Sequence, residues 1–153
     1  MPQKKLEIIK YPNKILRKKT HKVKNFKDMQ LAKLVFDMIA VLDEAGGVGL
    51  AATQVGSLER VCLVNAEDEL RILINPEIKS RSRKKEKAEE GCLSFPGRYF
   101  EIERPVRIKV RAQDLHGGKI KIKAQGFLAR VLQHEIDHLD GKLLIDYLKK
   151  SKS

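Results

Sequence analysis

Apolar positions along the chain repeat with two periods. Across residues 26–44 they recur at steps of three and four. Leu31, Leu34, Val35, Met38, Ile39 and Leu42 form one stripe, while Lys27, Lys33, Asp37 and Asp43 fall opposite. That spacing predicts an amphipathic helix whose stripe enters the core. The period shortens to two in residues 98–103, 106–114 and 119–125, which predicts strands with one buried face. His116-Gly117-Gly118 between the last two reads as a hairpin turn. Residues 60–65 hold the unbroken run Val61-Cys62-Leu63-Val64, as in a strand buried on both faces, and residues 71–78 read as a second strand ending near Asn75-Pro76. Residues 80–89 mix charges of both signs without apolar periodicity, so an exposed hairpin edge or loop is expected. Residues 6–11 read as an extended lead-in. Pro12 and Asn13 then open a short helix over residues 14–19, with Asn13 as its cap. A last helix starts at Gly126 and ends at Gly141, with Phe127, Val131, His134 and His138 on one face. Residues 143–148 form a strand or short helix, and residues 149–153 are expected to fray.

Composition narrows the class. A chain of 153 residues, 42% of them hydrophobic, is expected to form a single catalytic domain over residues 1–153 with its own core. No apolar run nears the roughly 20 residues of a membrane span, and the first residues lack the apolar centre of a signal peptide. A soluble, cytoplasmic protein is therefore expected. The net charge of +12 and pI near 9.8 favour polyanionic surfaces, RNA among them. Aromatic residues are only 5%, which speaks against a base-stacking nucleic-acid module, so the charge is read as steering. With two cysteines, Cys62 and Cys92, a disulfide is possible, but a cytosolic chain more commonly uses such residues for packing or a metal.

The candidate chemistry sits in the last helix. Gln133-His134-Glu135-Ile136-Asp137-His138 places two imidazoles four residues apart, one above the other, where both can grip one metal ion. Glu135 is close enough to serve as a base toward an activated water. Two ligands do not complete a site, and the third must come from elsewhere. Cys62, inside its apolar run, is expected in the core. Cys92, in Glu90-Gly91-Cys92-Leu93-Ser94, is on this evidence either a small buried hydrophobe or a ligand. His116 is expected as a turn residue, and His21 lies in a basic linker. The glycine-rich stretch Gly46–Gly56 has no Gly-Lys-Ser/Thr and no βα unit, which argues against phosphate binding. It reads as a loop in which Gln54 could offer an amide N–H to a developing oxyanion.

Three stretches together resemble peptide deformylase. Gly47 to Gln54 matches the family's G-Φ-G-Φ-A-A-x-Q segment, Glu90 to Ser94 its E-G-C-L-S segment, and His134 to Gly141 its H-E-x-D-H-L-x-G segment. They stand in the family's order and span most of the chain. The resemblance implies an α+β fold with antiparallel sheets wrapped around a central metal-binding helix. It makes Cys92 the third ligand beside His134 and His138. Ligand type alone suggests zinc; the resemblance implies Fe2+ in the cell, with Zn2+, Ni2+ or Co2+ able to substitute. The implied activity removes the N-formyl group from the formyl-methionine of nascent polypeptides, releasing formate. Glu135 is then the base, with the Gln54 side chain and the Leu93 backbone N–H stabilising the oxyanion. Gly49 leaves room for the formyl group. Val48, Ala88, Phe127, Val131 and His134 form the methionine pocket, while the segments around Val48 and Gly91 pair with substrate backbone. Glu90 and Arg104 are expected as a supporting ion pair. Two departures stand out. The sequence stops soon after Tyr147, where many bacterial members have a C-terminal helix that docks on the ribosome. Tyr99 replaces an arginine that often contacts peptide. Diffuse basic charge is expected to take over attraction to ribosomal RNA. The competing readings are an H-E-x-x-H metallopeptidase, which would need a different third ligand, and a catalytically inactive ribosome- or RNA-binding relative.

Overall fold

The computed structural model describes residues 6–148, so the expected fraying of residues 149–153 lies outside the described residues. In chain order the regular elements are α1 (Met29–Ala45), β1 (Gly49–Ala51), β2 (Val61–Ala66), β3 (Glu69–Arg81), β4 (Lys85–Gly91), β5 (Tyr99–Pro105), β6 (Arg107–Gln113), β7 (Lys119–Gln125), α2 (Gly126–Leu139) and the single turn α3 (Ile145–Leu148). The short helix expected over residues 14–19 is a 3-10 turn, Lys14–Arg17. Asn13 caps it by accepting from the Ile15 N–H at 3.0 Å.

Five antiparallel strands form one sheet in the order β1-β2-β3-β6-β7, and β4 pairs with β5 in a separate two-stranded sheet. β3 is long because it serves two neighbours. Its first half pairs with β2 and its second with β6, and a register shift between Ile74 and Glu77 marks the change. Asn75 sits there at a φ of 54°, an unusual value for a residue other than glycine, held by hydrogen bonds to both backbone groups of Val23 and to Gln113. The expected end of this strand near Asn75-Pro76 is therefore a bulge inside a longer strand.

The helices lie on opposite faces of the sheet. α2 packs on one, where Val131, Leu132, Ile136 and Leu139 meet Cys62, Val64, Val110 and Ala124. α1 covers the other over β1, β2 and the first half of β3, burying Val35, Met38 and Leu42 against Leu50, Leu63 and Ile74. α1 starts at Met29 rather than Phe26 because the Asp28 side chain accepts from the Gln30 N–H and sets the first turn. A third cluster of Leu16, Phe95, Phe100, Ile102 and Leu143 seats the small sheet. No helix among the described residues is long and apolar enough to cross a membrane.

Candidate metal centre

The glycine-rich stretch expected as a loop is structured. Gly49–Ala51 forms the edge strand β1, paired to β2 with Gly49 opposite Val64, and Ala52–Val55 is a buried 3-10 turn. This holds Gln54 in a fixed pose. Its Oε1 accepts from the Ala51 N–H at 2.9 Å, so its amide nitrogen must point the other way. That nitrogen donates to Ser94 Oγ at 3.0 Å and lies 3.6 Å from Cys92 Sγ. Ser94 Oγ in turn donates to the Ile9 carbonyl at 2.7 Å, and the Ile9 N–H donates to the Gln54 carbonyl. The extended lead-in is thus stitched to the site.

Cys92 lies just past the end of β4, in a turn closed by the Phe95 N–H donating to the Cys92 carbonyl. The turn carries the sulfur over α2. Cys92 Sγ stands 3.2 Å from His138 Nε2, and the donor atoms of Cys92, His134 and His138 all lie within 4.8 Å of one another. A tetrahedral cation bound at about 2.0–2.3 Å separates its ligands by about 3.5 Å, so this donor set fits one ion. The two rings, 5.1 Å apart, come from successive turns of one face. Cys62, by contrast, is fully buried in the core, where burial first and Glu135 second push its thiol far up.

Charge around the centre supports a cation. Burial pulls the His134 imidazole down, yet Glu135, Cys92 and Glu90 outweigh it and raise it well above its ordinary value. Three acidic groups therefore converge on one ring. Burial and the neighbouring His134 keep His138 well below its ordinary value, the neutral form a ligand needs. Burial pushes Glu135 up to about 7. Its Oε1 and the Nδ1 of His138 are buried and have no hydrogen-bond partner among the described residues.

Behind His134 stands a network that the expected Glu90–Arg104 pair only begins to describe. His134 Nδ1 meets Glu90 Oε1 at 3.0 Å, which turns Nε2 toward Cys92 and His138. Glu90 also receives both Nε and Nη2 of Arg104 and, at 2.6 Å, Nη1 of Arg130. Arg104 continues to Asp137 Oδ2 at 2.9 Å and to Tyr147 Oη, which itself donates to Asp137. Burial alone would raise Glu90; the hydrogen bonds from His134 and Arg104 prevail and hold it at about 2. Arg130, Asp137 and Tyr147 escaped the sequence reading. A signal was present for two of them: Arg130 and Asp137 lie four residues before and three after His134.

A cleft of about 430 Å³ opens onto the centre, walled by Val48, Gly49, Gly91, Leu93, Phe127 and Val131. Val48 and Phe127 are exposed at its mouth and Val131 is buried. Ala88, expected in this pocket, does not line it; Glu89 and Arg130 do. Tyr99 is 67% exposed and its ring lies close over Gly91, on the cleft wall. His116 is an exposed turn residue, and His21 makes a backbone bridge to Glu59, so neither joins the centre.

A cysteine sulfur and two imidazoles beneath an open cleft, with a carboxyl group beside them, define the donor set of a mononuclear metallohydrolase on an α+β frame. The chain belongs to the polypeptide deformylase family, whose sequence profile matches residues 5–153. It is 48% identical over 147 residues to a peptide deformylase of Endomicrobium trichonymphae, covering 94% of this chain and 86% of that one. It is 51% identical over 140 residues to peptide deformylase 1 of Bacillus cereus, covering 90% and 88%. The crystal structure of peptide deformylase from Thermotoga maritima superposes with a TM-score of 0.91 at 41% identity, covering 95% of this chain and 98% of that one. A Plasmodium falciparum peptide deformylase solved with an inhibitor gives 0.87 at 40%, covering 95% and 93%. Enzymes of this family are metal-dependent amide hydrolases that remove the N-formyl group from nascent polypeptides.

Proposed function

We propose that this chain deformylates the N-terminal formyl-methionine of nascent polypeptides, with a divalent cation held by Cys92, His134 and His138. The convergence of these three donors beside Glu135 carries the reading. Bound there, a divalent cation supplies the Lewis acidity that lets a water ionise near neutral pH and polarises the formyl carbonyl. Glu135 takes the proton of the attacking water. Glu135 is buried beside the centre and its Oε1 has no hydrogen-bond partner among the described residues, so the carboxylate is placed to accept a proton and return it. As the new C–O bond forms, charge gathers on the formyl oxygen. The Gln54 amide and the Leu93 N–H, one residue beyond Cys92, serve as its donors. Glu135 then hands its proton to the nitrogen as the C–N bond breaks, leaving formate and a free amine.

Space supports the choice of substrate. The missing side chain at Gly49 lets the Glu135 carboxylate lie against β1, beside the place of the formyl group. Val48, Phe127 and Val131 offer an apolar wall for the methionine side chain. β1 and β4 are edge strands of their sheets, and Val48 and Gly91 at their ends line the cleft, so a substrate backbone can add between them as a strand. Family resemblance supports ferrous iron as the cellular metal, with zinc, nickel or cobalt able to replace it. The place of action is the cytoplasm, and the basic charge favours the neighbourhood of ribosomal RNA.

The test is formate release from a formyl-Met peptide beside its unformylated twin, using anaerobically prepared protein of measured metal content. Turnover of the formylated peptide alone, at one metal per chain, is expected. Cleavage of the unformylated twin would instead make the chain a metallopeptidase.

A further inference from the structure

The outer face of the large sheet is covered by α1 only as far as Ile74. Beyond it, β6 and β7 carry Arg107, Lys109 and Arg111 beside Lys119, Lys121 and Lys123, all exposed, with their apolar residues turned toward α2. The register sets like charges directly against each other: Lys109 faces Lys123 and Arg111 faces Lys121. Across a sheet such pairs destabilise. None of the six forms an ion pair among the described residues. Glu77, opposite Arg111, is taken by Lys22 and Lys79.

Two ordinary explanations fall short. Lysines guard sheet edges against aggregation, and β7 is an edge, but β6 is an interior strand. A merely solvated hairpin mixes charges of both signs, as β4 and β5 do, where Lys87 faces Glu103 although Glu89 faces Glu101. The fourteen residues of β6 and β7 contain no acid at all. Alternate residues on a strand lie about 6.6–6.8 Å apart. The ladder therefore offers two parallel rows of cations at close to the spacing of successive phosphates.

We propose that this face is a docking surface for the phosphate backbone of double-helical RNA. The inference rests on the attraction to ribosomal RNA stated above and gives it a location. The six exposed positions include no aromatic side chain on which a base could stack, which favours duplex over single-stranded RNA. They include no apolar anchor for a membrane interface either. Lys123 precedes Phe127 by four residues, so the ladder ends within about 14 Å of chain from the mouth of the cleft. RNA held there would keep the cleft beside an emerging polypeptide.

The test uses metal-loaded enzyme and a mixed-sequence duplex RNA, titrated at several KCl concentrations. A Lys109→Gln/Lys121→Gln/Lys123→Gln variant should keep its turnover of formyl-Met peptide while the slope of log K against log salt falls by about 3. A control Lys14→Gln/Lys18→Gln/Lys24→Gln variant should lose much less. Should the unaltered enzyme not bind the duplex, the attraction itself is wrong. Equal losses in both variants would leave the attraction standing and remove the surface. Ladder-dependent binding to phosphatidylglycerol vesicles without RNA binding would replace RNA by a membrane and overturn the proposal.

Discussion

Gly49 and Glu135 are packed so closely that a Cβ at position 49 would stand 2.3 Å from Oε2 of the glutamate, with its Cδ and Cγ also under 3 Å away. The strand β1 and the helix α2 meet here with room for a carboxylate and no methyl group. Glu135 is 3% exposed, so its carboxylate can make way only by leaving its present pose. Gly49→Ala must therefore swing the carboxylate away from the centre. Turnover of formyl-Met peptide should fall by about 100-fold or more, because a displacement of about 1 Å costs that much. Metal content should stay at one per chain, since no ligand moves. An alanine variant with full activity would show that Glu135 is not held where the base must be.

The carboxyl group of Glu135 is also a stability liability in the metal-free protein. Its value of about 7 lies above the ordinary 4.5, so the folded state holds a proton that the unfolded chain releases sooner. The sign follows: stability is complete below about 4.5, falls as pH rises toward 7 and then levels off. The shift corresponds to about 3 kcal/mol. Glu135→Gln removes it. Thermal denaturation of the metal-free proteins should find the variant gaining on the unaltered chain at pH 8 and not at pH 4.5, while its metal-loaded form lacks turnover. A difference independent of pH would mean the carboxylate is ionised at little cost.

Much of this was legible in the chain, for a physical reason that also marks the failures. β7 matches residues 119–125 because Ile120, Ile122 and Ala124 alternate with Lys119, Lys121, Lys123 and Gln125. β1 was hidden because three residues buried on both faces show no alternation. β4 was hidden for the opposite reason: only Glu90 of its seven residues is buried, so it has no apolar face. The paired imidazoles were legible because i, i+4 spacing survives in sequence, and Cys92 entered as their companion only through the family resemblance. The Glu90–Arg104 pair bridges a hairpin, and Arg130 joins it from a helix, so only the folded chain brings all three together.

Glu90 tests that network. Glu90→Gln leaves Arg104 and Arg130 without their shared carboxylate and loosens His134 at Nδ1. Supporting groups of this kind are worth about 10–100-fold in metal affinity, and breaking a buried pair costs about 3–5 kcal/mol. Chelator competition should show the weaker binding and denaturation the lower stability. Metal affinity unchanged in a folded variant would mean that the ring is held by packing alone.

The two thiols should separate cleanly. Cys62 is fully buried and Cys92 lines the cleft. A thiol reagent should therefore titrate one cysteine in the native metal-free protein and two after unfolding. Loading the metal should protect the first, since a coordinated sulfur is not free to attack. Two fast thiols in the native state would place Cys62 outside the core.

The cation ladder makes a prediction about stability as well as binding, and the two run in opposite directions. Lys121→Glu puts an acid opposite Arg111, and Lys123→Glu puts one opposite Lys109. Each change turns a repulsive cross-strand pair into an attractive one, worth about 0.2–1 kcal/mol. The double variant should thus melt at a higher temperature in low salt, and the gain should shrink as salt screens it. Its turnover of a short formyl-Met peptide should not change, because neither lysine lines the cleft. A face kept at a cost to folding points to selection for something other than folding. If the double variant is no more stable, the opposed charges are relaxed by solvent and the ladder carries no such cost.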